Sequence, residues 1–173
     1  LTQLRKLMNA IVRQYGRPDY IHVELARELK LNEKQKAEHK RRIKQTTDAA
    51  AERSKKLMEI GQRDSGGNRM LLRIWEQLNP FNPLDRRCPY CGDGIGIEML
   101  MNGSADIDHI IPYSKCLDDS VGNKVVSHTH CNRQKGNKTP WERWGDTDRW
   151  PIIQDQVARL HKSKQWRFGP DAM

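Results

Sequence analysis

The sequence predicts an α+β fold that is mainly helical. Residues 28–60 contain neither glycine nor proline and are rich in Lys, Glu, Gln, Ala and Arg, which favours one long polar helix or two in series. Between residues 87 and 137 the composition changes, because glycines, short apolar runs, cysteines and histidines crowd together. Only 36% of the 173 residues are hydrophobic, so we expect a modest core beside extended, solvated parts.

The N-terminal residues predict a helix followed by a short strand. In residues 1–15 the apolar side chains recur at helical spacing. They are Leu4, Leu7, Met8, Ile11 and Val12. The segment 16–19 contains Gly and Pro and ends this helix. Residues 20–25 then alternate between polar and apolar side chains, as in a half-buried strand.

The long polar segment is strongly basic. Between Lys30 and Lys56, ten Lys or Arg residues stand against four Asp or Glu residues. Two interpretations stay open, a solvated helical face and a surface that contacts phosphates. Residues 64–68 predict a flexible joint, and residues 69–78 predict a short helix that ends at Asn79-Pro80.

The C-terminal third predicts at least one further helix and part of the core. Thr139 and Pro140 favour the start of a helix, with Thr139 as the N-cap and Pro140 in the first turn. We expect the tryptophans that follow to be core anchors. They are Trp141, Trp144 and Trp150.

The net charge limits the classes of partner and location. Thirty-one Lys and Arg face 22 Asp and Glu, a net charge of +9, which favours an anionic partner such as nucleic acid, although a basic protein without one is possible.

No apolar run reaches the roughly 18 residues that a membrane span needs, and charges interrupt any signal-peptide core. We therefore expect a cytoplasmic protein with no membrane partner. Because the chain does not begin with Met, we also expect it to be part of a larger polypeptide.

Two pairs of metal-ligand residues share the same spacing. Cys88 and Cys91 are separated by two residues, as are His128 and Cys131. Two such pairs are typical of a closed tetrahedral zinc site, which is structural because it leaves no open coordination position. His130 competes with His128 as the fourth ligand. A redox role for the two cysteines of the first pair requires a strand-to-helix context that the sequence does not offer.

Cys116 has no partner at ligand spacing, so we expect a small, partly buried residue there.

The segment 106–112 (DIDHIIP) concentrates the residues with catalytic potential. The Asp108 carboxylate and the Asn132 amide oxygen are hard ligands suited to Mg²⁺. The His109 imidazole can take a proton from water near neutral pH. These groups suit phosphodiester hydrolysis, in which the ion stabilises the leaving oxygen. A capped turn with a satisfied core histidine is the structural alternative.

Basic side chains near this segment are candidates for binding the phosphates of nucleic acid. They are Arg133, Lys135 and Lys115.

The motifs DIDHIIP, GNKV and CNRQKGNKTP together resemble the HNH nuclease motif. The resemblance implies a ββα-metal fold, in which a hairpin ends at Asp108-His109 and a loop leads to a helix that bears Asn132. It implies that His109 is the general base, and that Asp108 and Asn132 are metal ligands with Asp106 next to the ion. It also implies that Asn123 braces the loop. Many HNH proteins carry a four-ligand zinc of the kind described above.

The segment 20–28 (YIHVELARE) resembles the middle RuvC segment of type II CRISPR RNA-guided effector nucleases. In that family a helical linker, such as 29–61 here, joins this segment to the HNH domain. Glu24 would be its metal-binding carboxylate, inert here because its partner carboxylates come from other segments. The resemblance implies cleavage of the DNA strand that is paired to guide RNA.

The same resemblance implies the cofactors and partners. We expect a catalytic Mg²⁺ or Mn²⁺, a structural Zn²⁺, a monomeric state, and the RuvC and recognition domains of the effector as neighbours.

These inferences divide the chain into four parts. Residues 1–28 form a helix and the RuvC-like strand, residues 29–68 a basic helical linker, residues 69–162 the HNH domain with its zinc site, and residues 163–173 a C-terminal linker. Two alternatives stay open. One is a free-standing homing or restriction enzyme, and the other is a zinc-stabilised nucleic-acid-binding module without catalysis.

Overall fold

The computed structural model describes residues 2–20, 22 and 32–172. Glu24 and most of the strand predicted over residues 20–25 lie outside the described residues. Contacts along the backbone divide the chain into two compact units, Leu1–Ala51 and Glu52–Met173.

The first unit contains helix α1 and the residues of helix α2 up to Ala51. Helix α1 spans Thr2–Tyr15 and confirms the first predicted helix. Helix α2 spans Glu33–Glu59, so the long polar segment forms one helix rather than two. Salt bridges one turn apart, such as Glu33–Lys36 and Glu38–Arg42, support its polar face.

The second unit contains short helices around one small sheet. Its helices are α3 (Gly66–Glu76), α4 (Ile97–Met101), α5 (Tyr113–Cys116), α6 (Thr129–Lys135), α7 (Pro140–Trp144), α8 (Trp150–Arg159) and α9 (Lys162–Gln165). Its strands are β1 (Ala105–His109) and β2 (Lys124–His128). Single 3₁₀ turns occur at Pro83–Asp85, Val121–Asn123, Trp166–Phe168 and Pro170–Ala172. The predicted fold class, α+β and mainly helical, is confirmed.

The two strands and the helix that follows them form the ββα unit. β1 and β2 are antiparallel, with Ala105 opposite His128 and His109 opposite Lys124. α6 begins directly after β2. The predicted hairpin does not precede Asp108-His109. Residues 97–101 are helical, and the two strands instead flank the loop 110–123. Because Pro112 lies soon after His109, the chain leaves the sheet and returns only at Lys124.

The predicted flexible joint over residues 64–68 is the start of α3. Ser65 is the N-cap, and its Oγ accepts a hydrogen bond of 3.1 Å from the Asn68 amide. The Asp64 carboxylate accepts a hydrogen bond of 2.5 Å from the Ser54 hydroxyl. These side-chain contacts fix the segment in spite of its two glycines, because a capping hydroxyl satisfies a free amide of the first turn.

The core of the second unit lies between the sheet and the surrounding helices. Its fully buried side chains include Leu57, Leu72, Ile74, Tyr90, Ile110, Val125, Val126, Ile153 and Phe168. Trp144 is buried, as predicted, whereas Trp141 and Trp150 are half-buried and pack edge to face at 4.9 Å. The predicted start of α7 is confirmed, because Thr139 and Glu142 form a capping box.

Residues 163–172 are folded onto the second unit, whereas the sequence predicted a linker over residues 163–173. Phe168 is 2% exposed and its ring lies 6.2 Å from that of Tyr90. Lys164 and Ala172 are also buried. The apolar side chains of this segment find partners in the core, which a linker prediction from local composition cannot anticipate.

None of the described helices is both long and apolar enough to cross a lipid bilayer.

Candidate active site

Asp108 lies near the end of β1 with its carboxylate buried between two partners. Its side chain is 6% exposed. The Tyr90 hydroxyl donates a hydrogen bond of 2.5 Å to Oδ2, and the Lys135 ammonium lies 3.2 Å from Oδ1. Burial raises the pKa of the Asp108 carboxyl, while the charge of Lys135 and the Tyr90 hydrogen bond act in the opposite direction.

Lys135 occupies an inward position that the sequence did not indicate. Its side chain is 1% exposed, and its Nζ donates a hydrogen bond of 2.9 Å to the carbonyl of His109. The same ammonium balances the charge of Asp108, which ties α6 to the end of β1. Direct contact between Lys135 and a phosphate stays a prediction, and the observed partner of this ammonium is the buried carboxylate.

Asn132 lies on the face of α6 that turns toward β1. It precedes Lys135 by three residues, so the two side chains share one side of the helix. Asn132 is half-buried. A role for its amide beside Asp108 and His109 stays a prediction.

The other predicted phosphate ligands differ in their surroundings. Arg133 is exposed on α6. The Lys115 ammonium pairs with the Glu142 carboxylate at 2.7 Å.

His109 is the last residue of β1, and its ring is held by a residue that the sequence analysis missed. Nε2 of His109 lies 2.8 Å from Oδ1 of Asp119, and the Lys124 ammonium lies 2.8 Å from the same oxygen. Hydrogen bonds with Lys124 and then with His109 lower the pKa of the Asp119 carboxyl. The strand register could have indicated part of this arrangement, because Lys124 lies directly opposite His109. The position of Asp119 depends on the loop alone.

The side chain of Asn123 holds the loop 110–123 in place from inside the protein. It is fully buried. Its Oδ1 accepts a hydrogen bond of 3.0 Å from the Ile111 amide, and its Nδ2 donates hydrogen bonds of 2.9 Å to the carbonyls of Ile111 and Asp118. One side chain therefore bridges the loop after β1 and the segment that carries Asp119.

Asp106 differs from Asp108 although both lie on β1. Asp106 is exposed, and its Oδ1 accepts a hydrogen bond of 2.6 Å from the Ile107 amide. Of the two carboxylates, only that of Asp108 reaches Tyr90 and Lys135, so the two environments differ.

The two cysteine and histidine pairs come together as the spacing predicts. The ligand atoms of Cys88, Cys91, His128 and Cys131 all lie within 4.8 Å of one another, and Sγ of Cys91 lies 3.3 Å from Nδ1 of His128. Ligands around a tetrahedral ion with metal–sulfur bonds of ~2.3 Å are about 3.8 Å apart. The four atoms therefore form a Cys₃His group that can hold a metal ion.

His130 lies beside this group rather than within it. Its Nε2 lies 3.3 Å from Sγ of Cys131, and its ring stacks on His128 with the ring centroids 5.3 Å apart. His130 is exposed whereas His128 is buried. The assignment of His128 as the fourth ligand is a proposal that this difference in position supports.

The thiols of the group are suited to metal binding because they influence one another. Hydrogen bonds from Cys131 and Cys91 lower the pKa of the Cys88 thiol to about 3. The proximity of Cys88 and Cys91 raises the pKa of the Cys131 thiol in turn. The group therefore stabilises a thiolate, which is the form that binds metal.

The metal-binding group and the candidate active site share structural elements. Tyr90, the partner of Asp108, lies between Cys88 and Cys91. Cys131 lies in the same helix as Asn132 and Lys135. An ion bound by the group would therefore fix both the Tyr90 hydroxyl and α6 with respect to β1.

Comparisons with known proteins agree with this geometry. Residues 88–141 match the family described as HNH endonuclease. The chain is 32% identical over 170 residues to the CRISPR-associated endonuclease Cas9 of Campylobacter jejuni, a match that covers 97% of the chain and 17% of that protein. It is 33% identical to the CRISPR-associated endonuclease Cas9 1 of Streptococcus thermophilus, covering 94% of the chain and 15% of that protein.

The fold matches solved structures of Cas9 proteins. The Streptococcus thermophilus Cas9 complex with the GGAA PAM superposes with a TM-score of 0.63 at 26% identity, covering 98% of the chain and 18% of that protein. The chain spans less than a fifth of the length of these relatives. The sequence match, the ββα unit and the Asp108-His109 arrangement agree: the chain belongs to the HNH endonuclease family and corresponds to the HNH domain of a Cas9 effector.

Proposed function

We propose that this domain hydrolyses a phosphodiester bond in the DNA strand that is paired to guide RNA, as the metal-dependent nuclease part of a CRISPR effector. The observation that carries this proposal is the end of β1, where a buried carboxylate (Asp108) adjoins a partly exposed imidazole (His109), each with its own fixed partner. The relatives named as CRISPR-associated endonucleases support the choice of substrate.

His109 is the general base in this proposal. With Nε2–H donating to Asp119, the other ring nitrogen, Nδ1, keeps the lone pair that accepts a proton from water. Lys124 holds Asp119 from the other side, so the imidazole keeps its orientation while it gains a positive charge. Asp119 then stabilises the imidazolium through the existing hydrogen bond.

Asp108 and Asn132 would hold a catalytic Mg²⁺ or Mn²⁺, with Asp106 next to it. The donor set fits such an ion, because carboxylate and amide oxygens are the ligands that Mg²⁺ prefers. When bound, the ion supplies charge neutralisation for the phosphate and for the leaving oxygen. Lys135 and Tyr90 keep the carboxylate in place from the protein side.

The Cys₃His group would hold a structural Zn²⁺ through Cys88, Cys91, His128 and Cys131. The four side chains would fill all four positions of a tetrahedral ion, so no position would be left for substrate. Its contribution to function would be indirect, through the positions of Tyr90 and α6.

The remaining assignments extend the proposal to the whole effector. Arg133, Lys135 and Lys115 would contact phosphates of the bound strand, and Glu24 would be a ligand of a RuvC site that other segments complete. The domain boundaries at residues 28 and 68, a monomeric state, and partners in the RuvC and recognition domains follow from the same family. A cytoplasmic location agrees with the bacterial source of the relatives.

The test of this function is the His109→Ala substitution in the full-length effector, loaded with guide RNA and target DNA in the presence of Mg²⁺. Loss of the general base is expected to lower the rate of target-strand cleavage by about 10²–10⁴-fold. His39→Ala, an exposed histidine on α2, is the matched control and should cleave at the wild-type rate. Undiminished target-strand cleavage by the His109 variant would contradict the assignment of His109 as the general base.

The comparisons favour this function over the two alternatives. A free-standing homing or restriction enzyme does not account for the match to Cas9 relatives over nearly the whole chain. A module without catalysis does not account for the match of residues 88–141 to the HNH endonuclease family.

A further inference from the structure

Lys164, in helix α9, is buried although no carboxylate of the described residues pairs with its ammonium. The residue is 3% exposed, and its Nζ donates a hydrogen bond of 2.5 Å to the carbonyl of Lys124. Forty positions separate the two residues along the chain. The ammonium therefore joins the C-terminal segment to a backbone oxygen of β2.

This arrangement costs stability. A buried ammonium without a carboxylate partner is unfavourable, because the charge loses its hydration. Burial, followed by the charges of Arg167 and Arg73, lowers the pKa of Lys164 to about 8, which reflects this loss. An apolar side chain of similar length would avoid the cost. What the lysine adds over an apolar residue is a fixed donor for the Lys124 carbonyl.

The Lys124 carbonyl lies where the loop 110–123 returns to the sheet. Lys124 is the first residue of β2 and lies directly opposite His109. Its ammonium lies 2.8 Å from Oδ1 of Asp119, and Nε2 of His109 lies 2.8 Å from the same oxygen. Lys124 is therefore linked to the candidate general base twice, through the strand pairing and through Asp119.

The backbone around Lys164 is itself held in place. Nε2 of Gln165 donates a hydrogen bond of 2.7 Å to the carbonyl of Leu160, at the end of α8. Phe168 is buried in the core. Because the segment is fixed before and after Lys164, its ammonium restricts the movement of the Lys124 carbonyl.

A second contact joins the same segment to the same loop without leading to His109. Arg167 pairs with the Asp118 carboxylate at 3.1 Å. This carboxylate also accepts a hydrogen bond of 2.9 Å from the Ser120 amide. Within the described residues it forms no hydrogen bond with His109 or Asp119. The two contacts therefore separate a general effect on the loop from an effect on the imidazole.

We propose that Lys164 is a positioning residue for the general base, because its hold on the Lys124 carbonyl keeps Lys124 and Asp119 where they orient the His109 imidazole. The proposal rests on the proposed function for the role of His109. In the described part of the chain, Lys164 forms no hydrogen bond with the candidate metal ligands, and its burial keeps it away from DNA. Its loss should change the orientation of the imidazole and leave DNA binding intact.

The first test measures cleavage by the full-length effector, loaded with guide RNA and target DNA at saturating Mg²⁺. Lys164→Met should lower the single-turnover rate of target-strand cleavage by about 10- to 100-fold, the loss that a small misplacement of a reacting group causes. The affinity for target DNA should stay unchanged. Lys164→Arg keeps a cationic donor and should recover part of the rate. Lys164→Gln, whose side chain is one bond shorter, should behave like Lys164→Met.

The second test observes the imidazole directly and requires no cleavage. The full-length effector is labelled with ¹³C at Cε1 of its histidines, and the His109 signal is identified by its absence in His109→Ala. Lys164→Met should shift this signal in the same direction as Asp119→Asn, because both substitutions loosen the hydrogen bond between Asp119 and His109. If His109→Ala cleaved normally, the general base would be wrong, and this shift would still test the positioning.

Two matched controls leave the contact with Lys124 intact. Asp118→Asn breaks the other link between the C-terminal segment and the loop, and Lys162→Ala removes an exposed positive charge from α9 itself. Both should keep the wild-type cleavage rate and the wild-type His109 signal. Thermal melts check that every variant is folded at the assay temperature.

Three results would overturn the proposal. Equal losses of rate in Lys164→Met and Asp118→Asn would mean that the C-terminal segment only stabilises the loop. A lower rate of Lys164→Met with an unchanged His109 signal would place the effect of Lys164 elsewhere. Wild-type cleavage together with a wild-type His109 signal in Lys164→Met or Lys164→Gln would show that Lys164 has no positioning role.

Discussion

The Tyr90 hydroxyl donates a buried hydrogen bond of 2.5 Å to Oδ2 of Asp108. Tyr90 lies between the first two cysteines of the Cys₃His group, and Asp108 precedes the candidate general base. Burial, reinforced by the charge of Asp108, raises the pKa of Tyr90 well above its ordinary value, so the phenol stays protonated and remains a donor. This single bond connects the metal-binding group to the candidate active site.

Removal of that donor should destabilise the domain. Tyr90→Phe leaves one oxygen of the buried Asp108 carboxylate without its hydrogen bond, so the free energy of unfolding should fall by about 1–3 kcal/mol. Urea denaturation measures the change. Tyr113→Phe, which removes a hydroxyl from an exposed residue, is the control and should change stability by less than about 0.5 kcal/mol. Equal stability of the two variants would show that the Tyr90 hydrogen bond has no net effect.

Metal content should distinguish the two neighbouring histidines. His128→Ala should lose the bound metal and melt at a lower temperature, because the Cys₃His group loses one of its four ligands. His130→Ala should keep about one zinc per chain. Elemental analysis and thermal melts with and without a chelator give both quantities. Metal loss in the His130 variant alone would reverse the assignment of the fourth ligand.

A cysteine inside the Cys₃His group and one outside it should differ in their effect on metal binding. Cys88→Ser should abolish metal binding, since Cys88 is a buried member of the group. Cys116→Ser should retain it, because Cys116 accepts hydrogen bonds from Asn123 and Asp118 that a serine hydroxyl can also accept. A titration of the metal-free protein with Zn²⁺ measures the affinity of each variant. Equal affinities would contradict the proposed ligand set.

Asp119 should act as a positioning residue for His109. Asp119→Asn weakens the hydrogen bond that orients the imidazole and stabilises its charged form, so the single-turnover cleavage rate should fall by about tenfold or more at saturating Mg²⁺. Asp119→Glu should recover part of the rate. Asp118→Asn is the neighbouring control, because its carboxylate pairs with Arg167 instead. A wild-type cleavage rate for Asp119→Asn would show that Asp119 does not position His109 for catalysis.

Lys164 should make stability depend on pH in the alkaline range. Burial, followed by the charges of Arg167 and Arg73, lowers the pKa of its ammonium to about 8 in the folded protein. Since the unfolded chain holds this proton up to a pKa near 10.4, the unfolded state binds more protons between these values. This group therefore makes the free energy of unfolding rise with pH above about 8, by on the order of 2 kcal/mol near pH 10.

The comparison of wild type with Lys164→Met isolates this effect. The variant lacks the titrating ammonium, so the stability of wild type relative to Lys164→Met should increase between pH 7 and pH 10. Urea denaturation at both pH values gives the difference, and other titrating groups cancel because both proteins share them. A pH-independent difference would contradict the lowered pKa.

Much of the fold and of the site chemistry could be inferred from local patterns. The two-residue spacing of Cys88–Cys91 and His128–Cys131 is sufficient to bring together the two ligands within each pair, because each pair forms a compact turn, whereas tertiary packing brings the two pairs together. The absence of glycine and proline from residues 28–60 was enough to predict the long helix. The sequence predicted a flexible joint where α3 begins, because Gly66 and Gly67 favour flexibility. In the structure the Ser65 side chain caps the helix, and this cap is enough to start it at Gly66.

The sequence alone determined which residue types are available and their local spacing, and this identified the metal-ligand pairs, the Asp108-His109 segment and the helices. Only the tertiary structure decided which charges meet. Lys135 reaches the His109 carbonyl across 26 positions, Tyr90 reaches Asp108 across 18, and Asp119 meets His109 through a loop held by Asn123. Such contacts depend on how distant segments pack, and hydrogen bonds and burial act over a few ångströms in space regardless of separation along the chain.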